Sequence, residues 1–168
     1  MFGTISTEME VKAAASEAWK VYGAILLADI IREYLPQFVQ KTEVLEGDGG
    51  VGTVILVTFT PGATGFSQQK EKITVVDNEK RVKVVEVIEG GFLEQGLDLY
   101  RLRFEVIEKQ KQKQGEEKNE GEEDSCITKG TVEYETKDVA AANVAVSSIQ
   151  IVMAILKAVS DYLTKNNN

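Results

Sequence analysis

At 168 residues the chain has the length of one domain, spanning 1–168, and enough material to bury a core. Hydrophobic residues make up 43% and charged residues 27%, and 27 acidic against 19 basic side chains leave a formal charge of −8, which repels phosphates at long range and argues against nucleic acid and anionic membrane as partners. Histidine is absent, which excludes Ser-His and Cys-His nucleophilic pairs and histidine-ligated metal, so proton chemistry falls to Glu, Asp, Lys and Tyr. The lone cysteine, Cys126, has no internal disulfide partner and fits a reducing, cytoplasmic setting. The opening MFGTISTEMEV lacks the basic and apolar runs of a secretory leader. The most apolar window, Ile149 to Val159, still carries Gln150 and Lys157, which argues against a membrane span.

Residues 3–11 alternate, with Ile5, Met9 and Val11 between Ser6, Glu8 and Glu10, and predict a half-exposed strand. Between 16 and 35 the period changes. Trp19, Tyr22 and Leu26 share a helical face, Ser16 is the expected N-cap, Gly23 weakens the middle and Pro36 stops the run. One broken helix or two short ones satisfy this pattern. Strands follow at Val39–Glu46, Thr53–Thr60, Phe66–Val76, Arg81–Glu89, Leu97–Glu108 and Cys126–Thr136, punctuated by glycine clusters, Pro61-Gly62 and Asp77-Asn78. Such short, regularly spaced strands predict an antiparallel meander. Residues 109–123 contain no apolar side chain and read as a solvated hairpin insert, and Asp138 caps a long helix to about Leu163. That helix is apolar around most of its circumference, so a curved sheet must cover it. The tail 165–168 should fray.

Gly47-Asp48-Gly49-Gly50-Val51-Gly52 fits G-x-G-x-x-G, but a strand, not a helix, follows, and Asp48 places negative charge where a phosphate would sit. A glycine-rich hairpin is expected there, and no cofactor or metal site is called for. On the strand 66–76, Gln69, Glu71, Ile73 and Val75 share one face, opposite Lys70, Lys72 and Thr74. Glu71 therefore points inward, either into a cavity or into a structural pair. Lys83 shares parity with Val85 and Val87 while Val82, Val84 and Ile88 take the other, so two readings stand: an exposed strand lysine, or an inward neighbour of Glu71 across the hairpin. Tyr100 belongs to the face of Leu102, Phe104 and Val106, as core or cavity wall. Trp19 and Cys126 read as core.

The order of elements, together with LEGDGGVGTVILVTF, QKEKITVVDNEKRVK, VIEGGFLEQGLDLY and DSCITKGTVEYE, resembles the birch-pollen-allergen or class-ten pathogenesis-related family of the START-like superfamily, in its norcoclaurine-synthase-like branch. It is also similar to the cytokinin-specific binding proteins. The resemblance implies an α+β fold: a curved seven-stranded antiparallel sheet gripping a long C-terminal helix, two short helices after the first strand, and a large internal apolar cavity. It also implies a plant protein that binds a small aromatic or apolar ligand, such as a phytohormone, a phenolic or an alkaloid intermediate, with defence as a possible setting.

Norcoclaurine synthases join a phenylethylamine and an aldehyde in a Pictet–Spengler reaction with a Tyr, a Glu, a Lys and an Asp. In this chain the Glu falls on Glu71 and the Lys on Lys83, while Gln69 replaces the Tyr and Leu102 the Asp. If the protein is such an enzyme, Lys83 donates the proton for loss of water and Glu71 removes the ring proton. The cytokinin binders instead carry Gln-Arg-Glu where this chain has Gln69-Lys70-Glu71. The resemblance places the ligand among Tyr22, Gln69, Glu71 and Lys83. It adds Tyr100, Leu102, Ile149 and Met153 as further contacts. Binding is the first reading and catalysis the alternative. A monomer is expected, or a weak dimer through an exposed edge strand.

Overall fold

The structure, a computed structural model, describes residues 1–109 and 124–165. The charged insert expected at 109–123 lies outside these residues except for Lys109, which donates to Glu10 at 2.7 Å, and of the expected tail only Lys165 is included. Alternation makes β1 (Phe2–Val11), whose odd-numbered residues turn inward and even-numbered ones outward. Two helices follow, α1 (Ala15–Tyr22) and α2 (Leu26–Tyr34), separated at Gly23 as the sequence suggests. The expected cap is corrected: Ala14 occupies the N-cap position of α1 without a side-chain bond, and Ser16 is exposed in the first turn. Pro36 has the expected effect, since Leu35 leaves helical geometry at φ −126°, ψ 54°.

The meander comprises β2 (Val39–Glu46), β3 (Val54–Phe59), β4 (Gln68–Asp77), β5 (Val82–Gly90), β6 (Leu99–Glu108) and β7 (Cys126–Glu135). All pairs are antiparallel, and the seven strands lie in the order β1-β7-β6-β5-β4-β3-β2. A short 3-10 turn, Gly91–Gln95, links β5 to β6. The glycine hairpin between β2 and β3 closes on itself: Gly49 N–H donates to Thr53 Oγ1 at 2.8 Å, and Gly50 N–H to Asp48 Oδ1 at 3.0 Å. It leads straight into a strand, and not into a helix.

The C-terminal helix runs from Val139 to Thr164 with a break at Ser148, giving α3 (Val139–Ser147) and α4 (Ile149–Thr164). Asp138 caps it, accepting from Ala140 N–H at 2.9 Å. Asp138→Ala should therefore cost about 1 kcal/mol, a fall in Tm of roughly 2–4 °C on thermal unfolding. At the break, Ser148 Oγ donates back to the Ala145 carbonyl at 2.6 Å, a bond that bends helices. By length and composition this helix is apolar enough to cross a bilayer, but it is the core helix: Val152, Ile155, Leu156 and Val159 are buried where α4 packs on β1 and β7. At Gly130 of β7 a Cβ would run into Val152 Cγ1, so glycine lets the helix seat closely.

Two expectations are corrected here. The helix is not covered all round: Val139, Val146 and Met153 face solvent, Met153 at 45% exposure. Trp19 is half-buried at the edge of the core, where its Nε1 donates to Asn78 Oδ1 at 2.9 Å. Cys126 is fully buried, as expected.

Candidate functional site

A cavity of about 90 Å³ lies between the concave face of the sheet, α2 and α4. This is small beside the large cavity implied by the resemblance; ligand pockets commonly reach about 300–1,000 Å³, so a two-ring ligand requires the walls to open. Ile25 and Ala28 close one side, Ile151 and Ile155 another, and Val57, Ile73, Val85 and Leu102 form the floor. Five polar side chains enter this apolar space: Thr42, Gln69, Glu71, Lys83 and Tyr100.

Glu71 retains some surface because its side chain borders the cavity, yet protein surrounds it on every side. Gln69 Nε2 donates to Glu71 Oε1 at 2.8 Å, while Gln69 Oε1 accepts a long bond, 3.4 Å, from Phe92 N–H. That second bond fixes which end of the amide meets the carboxylate. The arrangement depends on Gly91, whose φ is +52° and whose missing Cβ would collide with Gln69 Oε1 and Cβ. Gly91→Ala should unseat Gln69 and cost about 1–3 kcal/mol, read as a lowered Tm together with weaker binding of an amine. Burial raises the Glu71 carboxyl above its ordinary range; the Gln69 amide and the Lys83 ammonium oppose that by less.

Lys83 turns inward and is only 3% exposed. Its parity was ambiguous because Val82, Lys83, Val84 and Val85 are all buried, so both faces of this part of β5 are covered. Nζ donates to the Ala24 carbonyl, in the turn between α1 and α2, at 3.0 Å. Burial lowers its pKa from 10.5 to about 8, and Glu71 opposes the shift. The two groups are not directly opposed. Lys83 pairs with Val76 and Glu71 with Val87, an offset of four residues along β5, or about 13 Å of strand. Among the described residues Lys83 makes no ion pair. An ammonium and a carboxylate thus enter one apolar space from separate points on its wall.

Tyr100 lines the cavity with its ring, stacked on Phe92 at 3.9 Å, and Phe59 extends this aromatic wall, braced from behind by Phe66, which packs on both Phe59 and Phe92. Its hydroxyl pairs with Ser148 Oγ at 2.7 Å, and with the Ser148 proton directed to the Ala145 carbonyl at 2.6 Å the phenol is left to donate. Leu102 lines the cavity as apolar surface. The remaining predicted contacts lie elsewhere. Tyr22 packs on Phe104 at 5.5 Å behind the cavity wall, and its buried hydroxyl lies near Thr128 without making a hydrogen bond. Ile149 is buried off the cavity, and Met153 points outward. Thr42, Phe59 and Phe92 were missed by sequence reasoning, although Phe59 and Phe92 each stand beside a turn signal.

The family model for pathogenesis-related proteins of the Bet v 1 type matches residues 1–166. The chain belongs to the Bet v 1 family. Among its relatives, norbelladine synthase of Narcissus pseudonarcissus is 38% identical over 168 residues, covering 100% of this chain and 96% of that protein. S-norcoclaurine synthase of Thalictrum flavum subsp. glaucum is 39% identical over 133 residues, covering 79% of this chain and 57% of that one. The solved structure of norcoclaurine synthase from Thalictrum flavum, in complex with dopamine and hydroxybenzaldehyde, superposes with a TM-score of 0.80 at 33% identity, over 99% of this chain and 88% of that chain. This Bet v 1 protein therefore stands among the norcoclaurine- and norbelladine-synthase relatives of its family.

Proposed function

We propose that the cavity binds an aromatic amine with an aromatic aldehyde and promotes their condensation, Lys83 giving and Glu71 taking the proton. One observation carries this reading: a buried ammonium and a buried carboxylate, both displaced by burial toward neutrality, reach the same apolar space without pairing. Groups tuned in this way do acid and base work near neutral pH. The amine nitrogen adds to the aldehyde carbon to give a carbinolamine. The Lys83 ammonium protonates its hydroxyl, and water leaves an iminium. The electron-rich ring attacks the iminium carbon, and Glu71 takes the ring proton that is displaced. The aromatic wall from Phe59 to Tyr100 offers stacking for either ring. Incubation with dopamine and an arylacetaldehyde should give one enantiomer of the cyclised product in excess. Racemic product at the buffer's own rate would overturn the enzymatic reading.

A second reading is a carrier for a small aromatic ligand. It is favoured by Gln69 and Leu102, which stand where the resemblance gives a Tyr and an Asp, and by the Gln69 amide being spent on Glu71. Both readings share the anchor. Glu71→Ala should weaken dopamine binding by about 1–3 kcal/mol in calorimetry, the loss of a buried charged hydrogen bond. Equal affinities for variant and parent would remove Glu71 as the amine anchor.

A further inference from the structure

We propose that Lys83 is also a nucleophile, whose free-base Nζ adds to an aldehyde in the cavity and holds it as a covalent imine until the amine arrives. This rests on the condensing reading for its substrate class, aromatic aldehydes, but not for its chemistry. The geometry supports it in three ways. Lys83 lines a largely apolar cavity together with Ile25, Val85, Leu102 and Phe104, a setting in which imine hydrolysis is slowed. Its one hydrogen bond goes to the Ala24 carbonyl, which engages one N–H of the neutral amine and leaves the lone pair uncommitted. It makes no direct ion pair among the described residues, and the charge of Glu71 favours its ammonium by less than burial disfavours it. With a pKa of about 8, about a quarter of the molecules carry the free base at about pH 7.5, against about 0.1% for an ordinary exposed lysine.

The step balances without an oxidant or reductant. The Nζ lone pair forms the C–N bond while the carbonyl π electrons move to oxygen. One proton passes from nitrogen to that oxygen, which takes a second and leaves as water. The remaining nitrogen pair closes the C=N bond of a protonated imine. Attack by the amine substrate on that carbon, followed by departure of Nζ, returns Lys83 and leaves the substrate imine. The second proton comes from solvent, and its charge stays on the imine.

The test is reductive trapping on the full chain with hydroxybenzaldehyde and cyanoborohydride at neutral pH, followed by peptide mass mapping. The expected result is a single early adduct on Lys83 that adds the mass of the aldehyde less one oxygen, since condensation removes water with both hydrogens taken from Nζ and reduction returns two hydrogens. It should form at least about tenfold faster than adducts on exposed Lys12, Lys20 and Lys80, a conservative share of the free-base advantage. Lys83 labelled no faster than those lysines overturns the proposal. Lys83→Met should lose the fast adduct, and if that variant does not fold, the map of the parent protein decides alone. The two readings separate cleanly. Trapping at Lys83 without enantioselective product keeps the nucleophile and removes the condensing function, whereas selective product without trapping keeps the function and removes the nucleophile.

Discussion

Lys83→Met should lower the enantioselective condensation rate by about 10²-fold or more and, at the same time, make the protein more stable at pH 7. The rate loss is that of a general acid in contact with the reacting groups. The stability gain follows from the direction of its pKa shift, from 10.5 down to about 8 in the folded protein. Between those values the unfolded chain holds a proton that the folded one has lost, so stability rises with pH across about 8 to 10.5. Below pH 8 the penalty for the buried ammonium is fully present. Its upper bound is about 3 kcal/mol, at about 1.36 kcal/mol per unit. Methionine fills a similar volume without charge, and the Ala24 carbonyl keeps a long bond, 3.4 Å, from Leu27 N–H. A gain of about 1–3 kcal/mol is expected in denaturant unfolding at pH 7. A variant that is both inactive and less stable would show that Lys83 is a structural side chain.

Glu71→Gln should likewise cost about 10²–10⁴-fold in rate, the loss of a general base, with the amide keeping the shape and the bond from Gln69. The sign of its pH linkage is the reverse. The folded-state pKa is raised above 4.5, so over the window that opens there the folded protein binds more protons than the unfolded chain. Stability is favoured while Glu71 is protonated and falls as pH rises through the window. Unfolding of the parent between pH 4 and 8 should show this fall, and Glu71→Gln should flatten it. An unchanged pH dependence in the variant would mean that Glu71 ionises as freely as a surface carboxylate.

These two residues also mark where the sequence was informative. Alternation alone turned Glu71 inward, because Gln69, Glu71 and Ile73 stand opposite Lys70, Lys72 and Thr74. The strands, the interruption at Gly23 and the Asp138 cap were legible from periodicity and local stereochemistry. Lys83 was not, since β5 is covered on both faces and period-2 parity carries information only when one face is wet. Nor did the circumference of the C-terminal helix show which side overhangs the sheet, so Met153 was placed inside when it faces out. Tyr22 and Ile149 lie in the right elements but a layer away from the cavity. The Gln69–Glu71 contact depends on the positive φ of Gly91, 22 residues from Gln69, and its orientation on the Phe92 N–H. Pairing across such a distance becomes visible only once the β4–β5 register is known.

The most direct measurement is the rate of formation of the single product enantiomer from dopamine and an arylacetaldehyde, followed across about pH 5 to 10. The raised carboxyl of Glu71 and the lowered ammonium of Lys83 predict a bell: an acid limb above the usual carboxylate range, and an alkaline limb near pH 8 as Lys83 loses its proton. An enantioselective rate that keeps rising past pH 9, or no enantioselective rate at any pH, would contradict acid–base condensation by this pair.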